Sequence, residues 1–304
     1  MRQDSMRILY LSDIHGNLLL LRRALEIAKE KKADLVVLGG DLCCRLDLHI
    51  VVSEGDAHVH FDEELEDGEE IEDPHEVERS LWEQGIPCMV VDVDELEALQ
   101  EELADPELGG EFYDGLQMQS LRLVAEAINA SPVPVVCIPG NDDPDGTDAM
   151  LKKLKVKSLH GRTKRVKGYT FVGFGGINFT PLRTTNLEFE EPELRKRIVS
   201  AAKKAKPPIV LVVHAPPLNT NLDEVPSGRH VGSSGVRAAI KELKPVLSLH
   251  GHIHESVGMD RIGPTMCVST GSFFEDDLLS AAIIELAGKD VSVKFLSEEC
   301  EPAK

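Results

Sequence analysis

The chain has 304 residues, 42% of them hydrophobic, with nine Phe, three Tyr and one Trp, enough apolar mass for a large core and for one or two domains. No apolar run approaches the roughly 20 residues that span a bilayer, which excludes an integral membrane protein, and MRQDSMRILYLSD lacks the pattern of a secretory leader. The net charge of −20 arises in one place: 25 of the 53 acids lie between Leu46 and Gly115 against a single base, Arg79, and the remainder is close to neutral. Broad electrostatic binding to nucleic acid is therefore not expected.

In chain order, Arg7–Ser12 predicts a strand and Leu18–Lys31 a helix capped by Asn17, with Leu18, Leu21, Leu25 and Ala28 on one face. Asp34–Leu38 predicts a second strand, Leu116–Asn129 a helix and Val135–Ile138 a strand, and Lys164–Phe174 a hairpin around Gly168. The pattern then gives helix Pro192–Lys204, strand Ile209–Val213, helix Ser234–Leu243 and strand Val246–Leu249. Thr265–Ser269, Ala281–Leu286 and Val291–Leu296 close the chain as strands with little helix between them. The first half alternates strand and helix, as parallel sheets do, and the tail reads as mixed or antiparallel. The expected class is α/β, with two mixed sheets covered by helices on their outer faces.

One interval is too long. A crossover from the second strand to the third needs roughly 30 residues, yet Asp41 and Asn141 are far further apart. We read residues 46–115 as an acidic, partly disordered insertion in a single domain spanning 1–304. Ser53–Ser80 is rich in carboxylates and poor in large apolar groups, as in unstructured segments. The stretch Ile86–Leu103 predicts a strand in IPCMVV and a helix through Leu96, Leu99 and Leu103. For the acidic run we weigh a solvated linker, an autoinhibitory cover over the site, and metal capture by His58, His60 and His75.

Chemistry gathers at strand ends. RILYLS leads into Asp13 and His15, DLVVLG into Asp41, VPVVCIP into Asn141 and Asp142, IVLVV into His214, and VLSL into His250, His252 and His254. The carboxyl ends of strands are where open α/β sheets assemble ligand sites. Each fragment alone is more often a cap or a turn. Together they supply oxygen and imidazole donors without thiolate, which suits Mn, Fe or Zn. Seven such donors exceed one tetrahedral ion and suit two ions about 3.5–4 Å apart that share a carboxylate. His250 is set aside, because alternation along the strand turns it to the other face.

The ordered set D-x-H, G-D, G-N-D, H and G-H-x-H resembles the calcineurin-like metallophosphoesterase superfamily from Arg7 to about Leu296, the insertion apart. HGRTKRVKGYTFVGFGG, RHVGSSGVRAAIKELKP and LHGHIHES are similar to its Icc-related predicted phosphoesterases. The resemblance implies a four-layer α/β/β/α sandwich. It also implies one metal on Asp13, His15 and His254, a second on Asn141, His214 and His252, and Asp41 bridging the two. A metal-bound hydroxide would attack phosphorus, with manganese the first expectation and iron, zinc or nickel the others. The substrate would be a phosphodiester or activated phosphomonoester of a small, nucleotide-like metabolite, and the setting cytoplasmic. A nuclease of the same superfamily and a catalytically silent metal-binding scaffold are the alternatives.

Two positions depart from that pattern. Many relatives carry a leaving-group His where this chain has Asp142, and an Asp where it has Cys44. Next to two cations the Asp142 carboxyl should be ionised, so we expect it to fix a water, a substrate group or a ligand in place of donating a proton. Arg45 matches a phosphate-binding Arg of some relatives. His160 and His230 read as hydrogen-bonded loop imidazoles, Cys43 and Cys44 as inert buried thiols, and Gly173, Gly175 and Gly176 as backbone packing. Six cysteines without a C-x-x-C pair fit reduced thiols. The chain alone does not set the oligomeric state.

Overall fold

Strand Met6–Leu11 carries MRILYL, apolar on both faces, and it is buried on both. Such strands belong inside a sheet covered on each side. In the computed structural model, which describes residues 5–52, 73–180 and 187–301 and the backbone of 57–60 and 66–67, it lies centrally in a five-stranded sheet. The order across that sheet is Asp290–Glu299, Leu278–Ala287, Met6–Leu11, Leu35–Leu38 and Val135–Cys137. Pairing is parallel from Met6–Leu11 through Leu35–Leu38 to Val135–Cys137 and antiparallel on the other side, with Leu9 opposite Val36 and Val37 opposite Val136.

A second sheet has six strands in the order Gly258–Ile262, Thr265–Ser269, Leu247–His250, Ile209–Val213, Tyr169–Phe174 and Arg162–Val166. Its four inner strands are parallel, and both edges are antiparallel. The period-two alternation of strands sorts the core into layers. Ile8, Tyr10, Leu35 and Val37 face Phe171, Val210, Val212 and Leu249 across the space between the sheets. Leu9, Leu11, Val36 and Leu38 point the other way, onto helices Leu18–Glu30 and Pro106–Ala130. On the far side Val172, Leu211 and Val213 pack against Leu194 and Ile198 of helix Glu191–Ala201 and Val236 and Ile240 of helix Ser234–Leu243. The result is the expected four-layer α/β/β/α sandwich.

Local signals set the helix starts. Asn17 accepts the Leu20 amide at 3.1 Å, and Ser233 accepts the Val236 amide at 3.0 Å. Each cap satisfies an amide the helix itself cannot. The long helix begins ten residues before the expected Leu116, at Pro106 behind an Asp105 cap, in spite of Gly109, Gly110 and Gly115. Tertiary packing overrides their poor propensity. The first half of this helix packs against Trp82, Val51, Leu99 and Leu103, and the second half against the outer layer of the sandwich.

That shared helix ties the insertion to the body. Strands Glu66–Asp67, Ala57–His60, His49–Val52 and Cys88–Val91 form a small sheet, with helices Pro74–Glu83 and Val93–Ala104 beside it. The expectation of an unstructured Ser53–Ser80 is corrected at strands Ala57–His60 and Glu66–Asp67 and at its C-terminal end, where Pro74–Glu83 is helical. Its Trp82 is buried and donates from Nε1 to the Cys88 carbonyl at 2.9 Å. A single large aromatic anchors a segment that composition alone reads as solvated. Residues 53–56, 61–65 and 68–72, and with them most of the acidic run, lie outside the described residues. So do the side chains of His58 and His60, while His75 pairs with Glu78 on the surface.

Candidate metal centre

The parallel strands of both sheets end at the same edge of the sandwich. There the structure brings together all seven residues that the sequence singles out. Donor atoms of Asp13, His15, Asp41 and His254 lie within 4.8 Å of one another, as do those of Asp41, His214 and His252, so Asp41 belongs to both groups. The His15 and His254 Nε2 atoms face each other at 3.3 Å. His214 Nε2 is 3.2 Å from Asp41 Oδ2 and 3.1 Å from Asn141 Oδ1.

Backbone bonds hold the loops in register. The amides of Asp13 and His15 donate to the carbonyls of Gly40 and Asp41 at 3.0 Å, and Gly251 donates to the His214 carbonyl at 2.9 Å. Carboxylates are positioned by amides from other strands. The His252 amide donates to Asp13 Oδ1 and the Asp142 amide to Asp41 Oδ1, each at 2.9 Å. Asp13, His15, Asp41 and His252 all adopt positive φ, at 56°, 43°, 48° and 71°. Such conformations are uncommon for residues with a side chain and gather where function requires them. A Cβ added to Gly140 would run into the Asp41 carboxylate, so that position tolerates only glycine.

The charges explain what the site is built to hold. Asp13 and Asp41 are fully buried. Burial alone would raise their carboxyl pKa values, but His214 and the neighbouring imidazoles hold both below the usual range. His214 is driven the other way: desolvation opposes its charge, yet Asp41 and Asp13 push it up to about 10. His15 and His252 are lowered by burial to about 4, so they present neutral imidazoles. The two buried anions thus favour a proton on His214 and, to one side, on His254; His214 Nδ1 lies 2.9 Å from the Gly39 carbonyl and its Nε2 faces the carboxylates. Asp13 Oδ2 is buried with no hydrogen-bond partner among the described residues. A buried carboxylate oxygen in that state is costly unless a cation takes it. The donors present fit hard-to-borderline divalent cations.

Comparison with known proteins agrees with this chemistry. Residues 92–296 match the family described as "Metallophosphoesterase, calcineurin superfamily", and residues 6–83 match "Calcineurin-like phosphoesterase". The chain belongs to the calcineurin superfamily of metallophosphoesterases. Membership makes it a metal-dependent phosphoric ester hydrolase of a dimetal-dependent superfamily. An uncharacterized protein of Methanocaldococcus jannaschii is 38% identical over 149 residues, which is 47% of this chain and 67% of that one. The fold is similar to that of the protein TT1561 of Thermus thermophilus, with a TM-score of 0.58 and 14% identity over 96% of this chain and 99% of that one. It is also similar to a putative 5'-nucleotidase from Staphylococcus aureus in complex with alpha-ketoglutarate, with a TM-score of 0.51 and 12% identity over 98% of this chain and 54% of that one. No helix among the described residues is long and apolar enough to cross a membrane.

Within this metallophosphoesterase, the departures from the family pattern have definite surroundings. The Asp142 carboxylate accepts a hydrogen bond from Asn141 Nδ2. Burial and the charge of Asp41 push its pKa up to about 7, whereas adjacent divalent cations act in the opposite direction. Arg45 lines the same opening as Asp41, Asn141, Asp142 and His252. Its guanidinium pairs with Glu275 at 2.6 Å and lies 4.8 Å from the centre of the Phe274 ring. His250 is structural: Nδ1 donates to the Ala215 carbonyl at 2.9 Å and Nε2 accepts from Ser248 Oγ at 2.8 Å. His160 Nδ1 accepts the Gly175 amide at 3.0 Å, and His230 pairs with Asp223 at 3.0 Å. Both are loop imidazoles, as expected.

Two residues of the site escape the sequence reading. Asp143 is buried and accepts the amides of Leu42 and Cys43 at 2.8 Å and of Gly140 at 2.7 Å, which joins the Asp41 loop to the Asn141 loop. The second acid of the GNDD run is its only signal. Phe274 packs 4.4 Å from His15 and 5.8 Å from His254, ring centre to ring centre. Nothing in its local pattern marks it.

Proposed function

We propose that this protein hydrolyses a phosphodiester or an activated phosphomonoester of a small, nucleotide-like metabolite, with two divalent transition-metal ions at the edge of the sandwich. Asp13, His15 and His254 would hold one ion, Asn141, His214 and His252 the other, and Asp41 both. The observation that supports this reading above all is the pair of donor groups sharing Asp41. When bound, such a pair supplies a nucleophile at neutral pH and Lewis-acid stabilisation of phosphoryl charge. Manganese is the first choice among the metals.

The chain's own residues supply the rest. Asp41 is held by the Asp142 amide, which orients its carboxylate between the two groups. Asp142, engaged with Asn141, is a positioning residue for that ligand and not the proton donor of the leaving group. Arg45 stands at the opening, where its guanidinium can neutralise a phosphoryl oxygen. Without an imidazole at position 142, the favoured leaving groups are those that depart without a proton. Six free thiols among the described residues support a reducing, cytoplasmic setting.

A panel of phosphomonoesters and phosphodiesters, run with Mn, Fe, Zn, Ni and Mg, tests the reading, with Asp41→Asn as the inactive control. Turnover by the wild-type protein and none by the variant is expected. A protein that binds two metals and turns over no aryl ester would instead be a silent scaffold. Hydrolysis confined to DNA or RNA, with strongly salt-dependent binding, would make it a nuclease.

A further inference from the structure

Beside the metal centre lies a second cavity, of about 250 Å³, that the donor set does not explain. One wall is the insertion, at Gln84, Ile86 and Pro87; the other is the Phe274–Asp277 turn, and Arg45 lies in this cavity and in the metal opening alike. The two spaces therefore meet at one guanidinium. We infer that this cavity receives an organic substituent of the phosphoester, and that the substituent is uncharged or cationic, such as a nucleoside or an amino alcohol, and not a further phosphate or carboxylate. This rests on the phosphoesterase reading above and goes beyond it, because it assigns the specificity wall and its chemistry.

Three observations carry it. First, the insertion is fixed against the metal loop. Gly85 has φ of +82°, and a Cβ there would collide with the His15 carbonyl and the Asn17 amide, so the two backbones touch. The cavity is a rigid neighbour of the ligands and not a gap beneath a swinging linker. Second, its volume is below the roughly 300 Å³ at which drug-sized pockets begin, so it suits one substituent and not a whole dinucleotide.

Third, the lining has an electrostatic preference. Arg45 is its sole Lys or Arg, paired with Glu275 at 2.6 Å and shared with the metal opening, where the phosphoryl group would claim it; His49 is the one imidazole of the lining. Asp47 and Asp277 remain, and the Asp277 carboxylate accepts from Asn17 Nδ2 at 2.7 Å. An anionic substituent would meet carboxylates on both walls. Hydroxyl or amino groups would find acceptors there, and an ammonium would gain their charge.

The test uses the manganese-loaded protein and three p-nitrophenyl phosphodiesters that release the same phenolate. Their second substituents are thymidine, choline and a carboxyethyl group. The thymidine and choline esters should exceed the carboxyethyl ester in kcat/KM by about ten-fold or more, the scale of one like-charge contact near a protein surface. Asp47→Lys should shrink that ratio several-fold. Ile86→Trp, which fills the cavity, should lower kcat/KM for the thymidine and choline esters while p-nitrophenyl phosphate keeps its wild-type rate. Equal rates for the three esters, or a loss by Ile86→Trp shared by p-nitrophenyl phosphate, overturns the assignment and leaves the phosphoesterase reading intact. Calorimetric binding of thymidine 5'-phosphate, phosphocholine and phosphoglycolate reads the same preference without turnover. Failure of thymidine 5'-phosphate and phosphocholine to bind more tightly than phosphoglycolate overturns it independently of activity.

Discussion

The Asn141 side chain gives its amide nitrogen to the Asp142 carboxylate, and this turns its oxygen toward His214 Nε2, 3.1 Å away. The hydrogen bond fixes which end of the amide faces the site. Outer partners that orient a ligand in this way commonly contribute about 10–100-fold in metal affinity. Asp142→Ala should therefore weaken one of the two metal sites by that factor, read by calorimetric titration, and Asp142→Asn, which keeps an acceptor oxygen, should lose much less. Asp142→Ala with unchanged metal affinity and a selective loss of turnover on alkyl esters would make Asp142 the proton donor instead.

The same engagement of Asp142 leaves the departing oxygen without an obvious acid. General acid catalysis contributes about 10²–10⁴-fold where it operates. A series of phosphodiesters graded by leaving-group pKa should show a steep decline, with p-nitrophenyl esters faster than simple alkyl esters by a factor in that range. Comparable rates on both would show that another group protonates the leaving oxygen.

Much of this site is legible because ligands sit where strands end. Asp13, Asp41, His214 and His252 each follow an apolar run that period-two alternation marks as a strand, and the runs all end at one edge. The positive φ angles at Asp13, His15, Asp41 and His252 are not legible, because they are imposed by bonds between loops that are distant in sequence. Nor is the part played by Asp143, whose three partners lie on two loops. The sandwich follows from hydrophobic pattern, but edge strand Gly258–Ile262 is half polar and helix Thr147–Lys153 spans only two turns, and both are missed. In the insertion, abundant carboxylates on the surface hide a small core. Trp82, Val51, Leu99 and Leu103 come together only when helix Pro106–Ala130 passes beneath them.

Asp143 should matter to stability more than to chemistry. Its removal leaves three buried amides without an acceptor, and each such loss costs about 1–3 kcal/mol. Asp143→Ala should lower the unfolding free energy by about 3 kcal/mol or more, measured by urea titration of the metal-free protein. A change below about 1 kcal/mol would mean that water takes over these bonds.

The Asp148 carboxylate makes a bidentate pair with Arg162 at 2.8 and 2.9 Å and accepts from Ser158 Oγ, which fastens helix Thr147–Lys153 to the hairpin beside it. Partial burial would raise its pKa, but the bonds from Arg162 and Ser158 hold it below the usual value. A depressed folded-state pKa gives stability that is present above the unfolded value and lost as pH falls through the folded one. Asp148→Asn should thus cost about 1 kcal/mol or less at pH 7, as for partly exposed pairs. The difference from wild type should begin to shrink at about pH 4, the unfolded value, and vanish only once pH has fallen through the lower folded-state value. A difference that persists undiminished at pH 2 would trace to packing and not to charge.

Metal should also stabilise the fold, because Asp13 and Asp41 are buried anions that face the imidazoles of His214 and His254. Ligands that bind only the native state add about 2.7 kcal/mol at one hundred times their dissociation constant. Titration with manganese should raise the melting temperature of the wild-type protein, and a chelator should reverse the rise. Asp41→Asn removes the one donor common to both groups and the buried anion that His214 favours in the folded state, so the metal-free variant should melt below metal-free wild type and gain little from manganese. If Asp41→Asn gains as much as wild type, the stabilising ion binds elsewhere, and Asp41 is not the shared ligand.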